Sequence, residues 1–122
     1  MPNILIIEDE ELMLKTLEFR LKKDGYKVLS AQDGKLGMEL FESQPVDLVI
    51  TDIMLPFISG LEIVSRIKSN PATQAIPVLI LSGVGLEKTV LEAFELGADD
   101  FITKPFNLSE LSIRVKKHIK TV

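Results

Sequence analysis

Four short apolar runs in this chain each lead into polar residues able to do chemistry. Asn3-Ile4-Leu5-Ile6-Ile7 runs into Glu8-Asp9-Glu10-Glu11, and Leu48-Val49-Ile50-Thr51 runs into Asp52. Val78-Leu79-Ile80-Leu81 is followed by Ser82, and Phe101-Ile102-Thr103 by Lys104. A short apolar run rich in β-branched residues reads as a strand buried on both faces. Polar groups at the carboxyl ends of parallel strands lie where open α/β sheets gather their ligands. Carboxylates held close together repel and raise each other's pKa unless a cation neutralises them. For oxygen-only ligands the simplest neutraliser is Mg²⁺, held by one or two carboxylates together with water and phosphate oxygens. The set Asp9, Asp52, Ser82 and Lys104 then matches the needs of a phosphoryl group with a metal ion. The carboxylates hold the cation, the hydroxyl donates to one phosphoryl oxygen and the ammonium balances charge on another. Taken singly, each has a plainer account: acids favour a helix N-terminus, a serine after a strand caps or donates in a loop, and a lysine is solvated. Glu10 and Glu11 keep that account, as caps of the first helix.

These residues need a scaffold that brings several strand ends to one edge. Strand-like segments are Ile4–Ile7, Lys27–Ala31, Leu48–Thr51, Val78–Leu81 and Phe101–Thr103. Helix-like segments alternate with them at Glu11–Lys23, Gly34–Glu42, Gly60–Ser69, Leu86–Leu96 and Leu108–Lys120. The alternation implies an α/β, doubly wound, five-stranded parallel sheet with helices on both faces and right-handed crossovers. Pro56 and Gly60 break the pattern after Asp52, so a loop begins there. Asp24-Gly25 stops the first helix, with Gly25 as a left-handed cap. Asn107-Leu108-Ser109-Glu110 has the form of a capping box opening the last helix. Leu108, Leu111, Val115 and Ile119 recur at helical spacing, so one face of that helix is buried. Asn70 to Pro77 is a long irregular stretch that reads as a plain connection into the fourth strand.

Size and composition bound the function. The chain has 122 residues, 46% of them apolar, and a formal net charge of −4. That is the length of one domain with a substantial core, residues 1–122, and not of a disordered segment. There is no cysteine, so disulfides, thiolate metal sites and cysteine nucleophiles are excluded. No run approaches the ~18 apolar residues a membrane helix needs, and the N-terminus lacks the pattern of a signal peptide. The acidic balance argues against direct nucleic-acid binding.

With these motifs in hand, the whole chain resembles the receiver domain of two-component response regulators. The resemblance rests on Ile7-Glu8-Asp9-Glu10, Asp52-Ile53-Met54-Leu55-Pro56 with Gly60, Leu81-Ser82-Gly83, and the run from Gly97 to Phe106. It implies the flavodoxin-like strand order 2-1-3-4-5. Asp52 would be the phosphoacceptor. Asp9 would bind Mg²⁺ directly, Glu8 would act through the ion's water shell, and Met54 would offer its backbone carbonyl. Ser82 and Lys104 would contact phosphoryl oxygens, and the Lys104–Pro105 peptide bond would be cis. Phe101 would be the switch aromatic that moves inward after Ser82. The chain departs from the family's commoner residues in three places: Glu8 stands where Asp is usual, Gly83 where Ala is frequent, and Phe101 where Tyr is frequent. The longer Glu8 still reaches a metal-bound water, and Gly83 leaves room for the phosphoryl group. Phe101 lacks a hydroxyl to fix its inward state.

The function so implied is a phosphorylation-controlled switch, not an enzyme acting on other substrates. A phosphoryl group would pass from the phosphohistidine of a sensor histidine kinase or phosphotransfer protein to Asp52, and later be hydrolysed. The altered surface of the fourth helix, fifth strand and fifth helix would control an output domain or partner, transcription regulation foremost. The location would be cytoplasmic, with no membrane association. Homodimerisation through that surface is the expectation raised by Asp99, Asp100, Glu110, Arg114 and Lys116; Val90 stands where a basic residue is expected. An ordinary mixed-charge surface is the alternative.

Three other functions fit the residues less well. A Mg²⁺-dependent phosphatase with an aspartyl phosphate needs an acid two residues after the nucleophile, where this chain has Met54. A flavin-binding protein needs a phosphate-cradling loop after the first strand, where Glu8 to Glu11 would repel the phosphate. A docking module with no chemistry would not need the acidic set. His118, the only histidine, has no partner for catalysis and reads as structural or solvated, and Lys116, Lys117 and Lys120 read as a solvated helix face.

Overall fold

The computed structural model describes residues 1–119. Its elements follow in the order β1 (Asn3–Ile7), α1 (Glu11–Lys23), β2 (Lys27–Ala31), α2 (Gly34–Ser43) and β3 (Leu48–Asp52). Then come α3 (Gly60–Lys68), β4 (Val78–Ser82), α4 (Glu87–Glu95), β5 (Asp100–Thr103) and α5 (Leu108–His118). The strands form a five-stranded sheet in the order β2-β1-β3-β4-β5, and every neighbouring pair is parallel. The doubly wound architecture and the strand order are those anticipated. The expected end of the last helix, Lys120, lies outside the described residues.

The apolar runs have the composition they do because the central strands are covered on both faces. Side chains alternate between faces along a strand. Ile4, Ile6, Ile50, Leu79 and Leu81 therefore pack with Leu14, Leu17 and Leu21 of α1 and with Leu111 and Val115 of α5. Leu5, Ile7, Val49, Val78 and Ile80 pack with Met38 of α2, Ile63, Val64 and Ile67 of α3, and Val90 and Ala93 of α4. Two helices thus cover one face and three the other.

Local sequence sets the element ends. Asp24 caps α1, and Gly25 follows at φ 98°, with the Gly25 and Tyr26 N–H groups donating to the Lys22 and Leu21 carbonyls. Asp33 and Ser59 cap α2 and α3 by accepting from the Leu36 and Glu62 N–H groups. Asn107 Oδ1 accepts from Ser109 at 2.6 Å and Glu110 at 3.3 Å, giving half of the anticipated capping box. The other half does not form, because the Glu110 carboxylate turns to Arg114 at 3.2 Å. Glu10 occupies the N-cap of α1 and Glu11 its first turn, the placement anticipated for these acids, although Glu10 makes no side-chain cap hydrogen bond and its N–H donates to Glu8. The connection before β4 is more than a spacer. Lys68 Nζ donates to the carbonyls of Gln74 and Ile76 and pairs with Asp99 at 2.7 Å.

Candidate functional site

All the strand-end polar residues arrive at the carboxyl edge of the sheet. Asp52 and Ser82 are themselves in the ladder, Asp52 opposite Leu81 and Ser82 opposite Thr103. Glu8 and Asp9 follow β1, and Lys104 follows β5. The Lys104 N–H donates to the Ser82 carbonyl at 2.7 Å, tying the loop after β5 to the end of β4. The Lys104–Pro105 peptide bond is cis.

Gly60 makes the Asp52 corner possible. A Cβ there would lie 2.3 Å from the Asp52 carbonyl oxygen and 2.7 Å from the Ile53 Cα. Only glycine lets the loop fold back this tightly, and its N–H donates to the Ile53 carbonyl at 2.8 Å. The sequence marks Gly60 as a break; the close approach is what it serves.

Glu8, Asp9 and Asp52 each present a carboxylate oxygen, all within 4.8 Å of one another. Their surroundings differ. Glu8 is 0% exposed, Asp52 is buried and Asp9 is open to solvent. Lys104 Nζ bridges the two buried acids, donating to Glu8 Oε1 and, at 2.8 Å, to Asp52 Oδ2. Burial opposes the ammonium, but the hydrogen bonds and charges of Asp52 and Glu8 outweigh it and hold Lys104 above the usual lysine value. Burial pushes the Glu8 carboxyl up to about 7, with the Asp52 charge adding to the rise and the Lys104 hydrogen bond opposing it. The expectation of a neutralising cation is thus met in part from within the chain. Asp9 has no place in this bridge, and its oxygen faces the same space. Three hard carboxylate oxygens converging from two strands suit a divalent cation of the Mg²⁺ type. Among the described residues, no backbone N–H donates to the Met54 carbonyl, which follows in the same loop.

Ser82 is buried at the end of β4, beside Gly83 and an exposed Val84. Met54 and Val84 are 63% and 80% exposed. Phe101 stands in β5 opposite Ile80 with its side chain partly exposed, and its ring meets that of Phe94 edge to face at 5.7 Å and 87°. That contact is not visible in the sequence, where Phe94 is one more apolar position of a helix. His118 also has a partner the sequence hides: its Nε2 lies 3.0 Å from Asp100 Oδ2, and Arg114 reaches the other oxygen at 2.7 Å. His118 is therefore structural, not solvated. Of the acids anticipated at the dimer surface, Asp99 is turned to Lys68 and Asp100, at the start of β5, is buried against α5.

A doubly wound parallel sheet with an acidic, lysine-bridged corner on its carboxyl edge defines the class as an α/β domain whose carboxylates could hold a metal ion. The sequence matches the response regulator receiver domain family over residues 4–116, and the chain belongs to that family. It is similar to Response regulator RR06 of Streptococcus pneumoniae, with 39% identity over 97% of this chain and 53% of the relative. It is also similar to the alkaline phosphatase synthesis transcriptional regulatory protein PhoP of Bacillus subtilis, with 35% identity over 93% of this chain and 47% of the relative. The chain thus spans about half the length of these relatives. Among solved structures, a response regulator receiver domain protein from Clostridium thermocellum matches with a TM-score of 0.90 and 34% identity, over 98% of this chain and 94% of the other. The chemotaxis response regulator CheY4 of Vibrio cholerae matches with a TM-score of 0.89 and 25% identity, over 98% and 99%.

Proposed function

We propose that this receiver domain, residues 1–122, is a phosphorylation-controlled switch with Asp52 as its phosphoacceptor. The observation that carries the reading is the Asp52 carboxylate, fixed at the end of a central strand, bound to Lys104 and facing Glu8 and Asp9 within 4.8 Å. Asp9, Asp52 and the Met54 carbonyl would hold Mg²⁺, with Glu8 acting through its water shell. When bound, the ion supplies positive charge against the phosphoryl oxygens.

The chain's own residues do the rest. An Asp52 oxygen attacks the phosphorus of a donor phosphohistidine. The new O–P bond forms as the P–N bond breaks, and the imidazole leaves with that electron pair. Lys104 exchanges its contact with Asp52 for a phosphoryl oxygen, and Ser82 donates to another. Little covalent work is asked of the protein; positioning and charge carry the reaction. Water later attacks the same phosphorus and releases inorganic phosphate from Asp52. The donor is a sensor histidine kinase or a phosphotransfer protein, in the cytoplasm. The gain of ≈ −1.5 to −2 charge units biases Ser82 and Phe101 inward and remodels the α4-β5-α5 surface. That surface then controls an output domain or a second copy, in keeping with relatives named as transcriptional regulators.

Intact mass after incubation with acetyl phosphate and Mg²⁺ tests this. One phosphoryl group is expected on the parent and none on Asp52→Ala. An adduct mapped to another residue would overturn the assignment.

A further inference from the structure

We propose that Phe94 is the positioning residue that holds Phe101 outward, so that the Phe94–Phe101 ring pair is a latch set against activation. The inference rests on the switch reading above.

A cavity of about 340 Å³ lies between α4 and β5, and its walls include Ser82, Val90, Leu91, Phe94, Phe101 and Thr103. Phe101 stands at its rim with 36% of its surface in solvent. Turning the ring inward would hide that surface, and burial of apolar area is favourable. A force must therefore oppose the turn in the resting protein. The edge-to-face contact with Phe94 supplies it, at 5.7 Å and 87°, within the range where aromatic pairs add stability beyond their buried area. Phe94 can serve as a fixed post. It stands in the last turn of α4, next to the fully buried Ala93, and its carbonyl accepts from Gly97 as the helix ends.

Two consequences follow from the geometry. Any ligand that draws Ser82 and Phe101 inward must first separate the rings, so its affinity is reduced by the latch. Separation also frees Phe94, which is how a change on β5 reaches α4. Phe94 touches no reacting atom; it acts through Phe101.

The test uses the full chain with saturating Mg²⁺ and beryllofluoride as the phosphoryl mimic, with affinity read by calorimetry. Phe94→Leu keeps an apolar wall and removes the ring. It should raise beryllofluoride affinity by about twofold to tenfold, the range set by aromatic pair energies. The thermal midpoint of the unliganded variant, measured alongside, should fall or stay level. A Phe94 that merely filled space would lower that midpoint without tightening the ligand. In a Phe101→Leu background the same Phe94→Leu change should leave affinity unaltered, since the pair is already gone. Unchanged or weaker affinity in Phe94→Leu, or a gain that persists in the Phe101→Leu background, overturns the latch while the switch reading stands. Beryllofluoride that fails to bind the parent, or binds Asp52→Ala equally, overturns the switch reading and the latch with it.

Discussion

Glu8 and Asp9 are sequence neighbours with opposite surroundings, and the difference assigns them different work. Glu8 is buried and already hydrogen-bonded to Lys104, so its carboxyl is committed within the protein. Asp9 is exposed and shares only the space that the three carboxylates enclose. Asp9→Ala is therefore expected to weaken Mg²⁺ binding, because it removes a direct carboxylate ligand and leaves the Lys104 bridge intact. A Mg²⁺ titration identical to the parent's would reduce Asp9 to a charge near the start of α1. Met54 and Val84 are the other residues whose surroundings matter here. Both are apolar and exposed in the loops after β3 and β4. Hydrolysis of the Asp52 phosphate needs a water in line with the O–P bond, and neither side chain can hydrogen-bond to orient it. Slow self-dephosphorylation is the expected result. The double variant Met54→Asn, Val84→Glu should shorten the phosphoryl lifetime by on the order of tenfold, equivalent to ~1.4 kcal/mol of barrier. A discontinuous mass assay showing equal lifetimes would remove these two residues from the account.

Among the elements, α5 is fastened to β5 through one buried carboxylate. Asp100 accepts from Arg114 at 2.7 Å, lies 3.0 Å from His118 Nε2, and accepts from its neighbour Phe101 N–H at 2.9 Å. Burial raises the Asp100 carboxyl, but these hydrogen bonds and charges outweigh it and hold it below the ordinary 3.8. A depressed carboxyl stabilises the fold above the unfolded-state value and loses that contribution as pH falls through the folded-state value. Asp100→Asn should thus cost roughly 1–3 kcal/mol in urea unfolding at neutral pH, the worth of a charged hydrogen-bond cluster. The gap between parent and variant should narrow as pH falls below the unfolded-state value of 3.8 and on through the lower folded-state value. A gap that stays constant across that range would mean the cluster contributes nothing electrostatic. This fastening also shows what the sequence could and could not reveal. The elements were legible because strands covered on both faces are apolar throughout and the helices alternate with them. Strand ends were read one residue short at Asp52, Ser82 and Asp100, since the ladder is made by backbone groups and admits polar side chains that a hydropathy pattern leaves out. The site was legible because its residues stand at strand ends, which the topology alone brings together. Side-chain partnerships were not. Lys104 meets Glu8 across 96 positions and Asp100 meets His118 across 18, and no local periodicity encodes which rotamers converge.

For the molecule as a whole, the question is what a changed α4-β5-α5 surface would engage. Ionic contacts to a second copy are fewer than the charges on this face suggest. Asp99 is held by Lys68, and Asp100 by Arg114 and His118 of α5. Beside the exposed Glu87, Lys88, Glu92 and Glu95, α4 and the residue after it leave apolar side chains open to solvent: Leu91 and Leu96 are exposed, and Phe94 is partly exposed beside Phe101. A stable pairing has to bury on the order of 1,200–2,000 Å² in all, and its energy concentrates in central apolar or aromatic anchors while rim charges contribute little. In the resting state the Phe94 and Phe101 rings meet each other edge to face, which holds them from serving as such anchors. Moving Phe101 inward releases Phe94 and lets α4 reseat, so activation should expose one coherent apolar strip. Beryllofluoride with Mg²⁺ is therefore expected to raise the dimer fraction in sedimentation equilibrium. Leu91→Glu should abolish the rise, because Leu91 is 61% exposed on α4 and a charge there opposes burial against a second copy. Equal masses with and without beryllofluoride would refute dimerisation through this face and leave the switch itself standing. A dimer that forms undiminished in Leu91→Glu would move the interface elsewhere on the molecule.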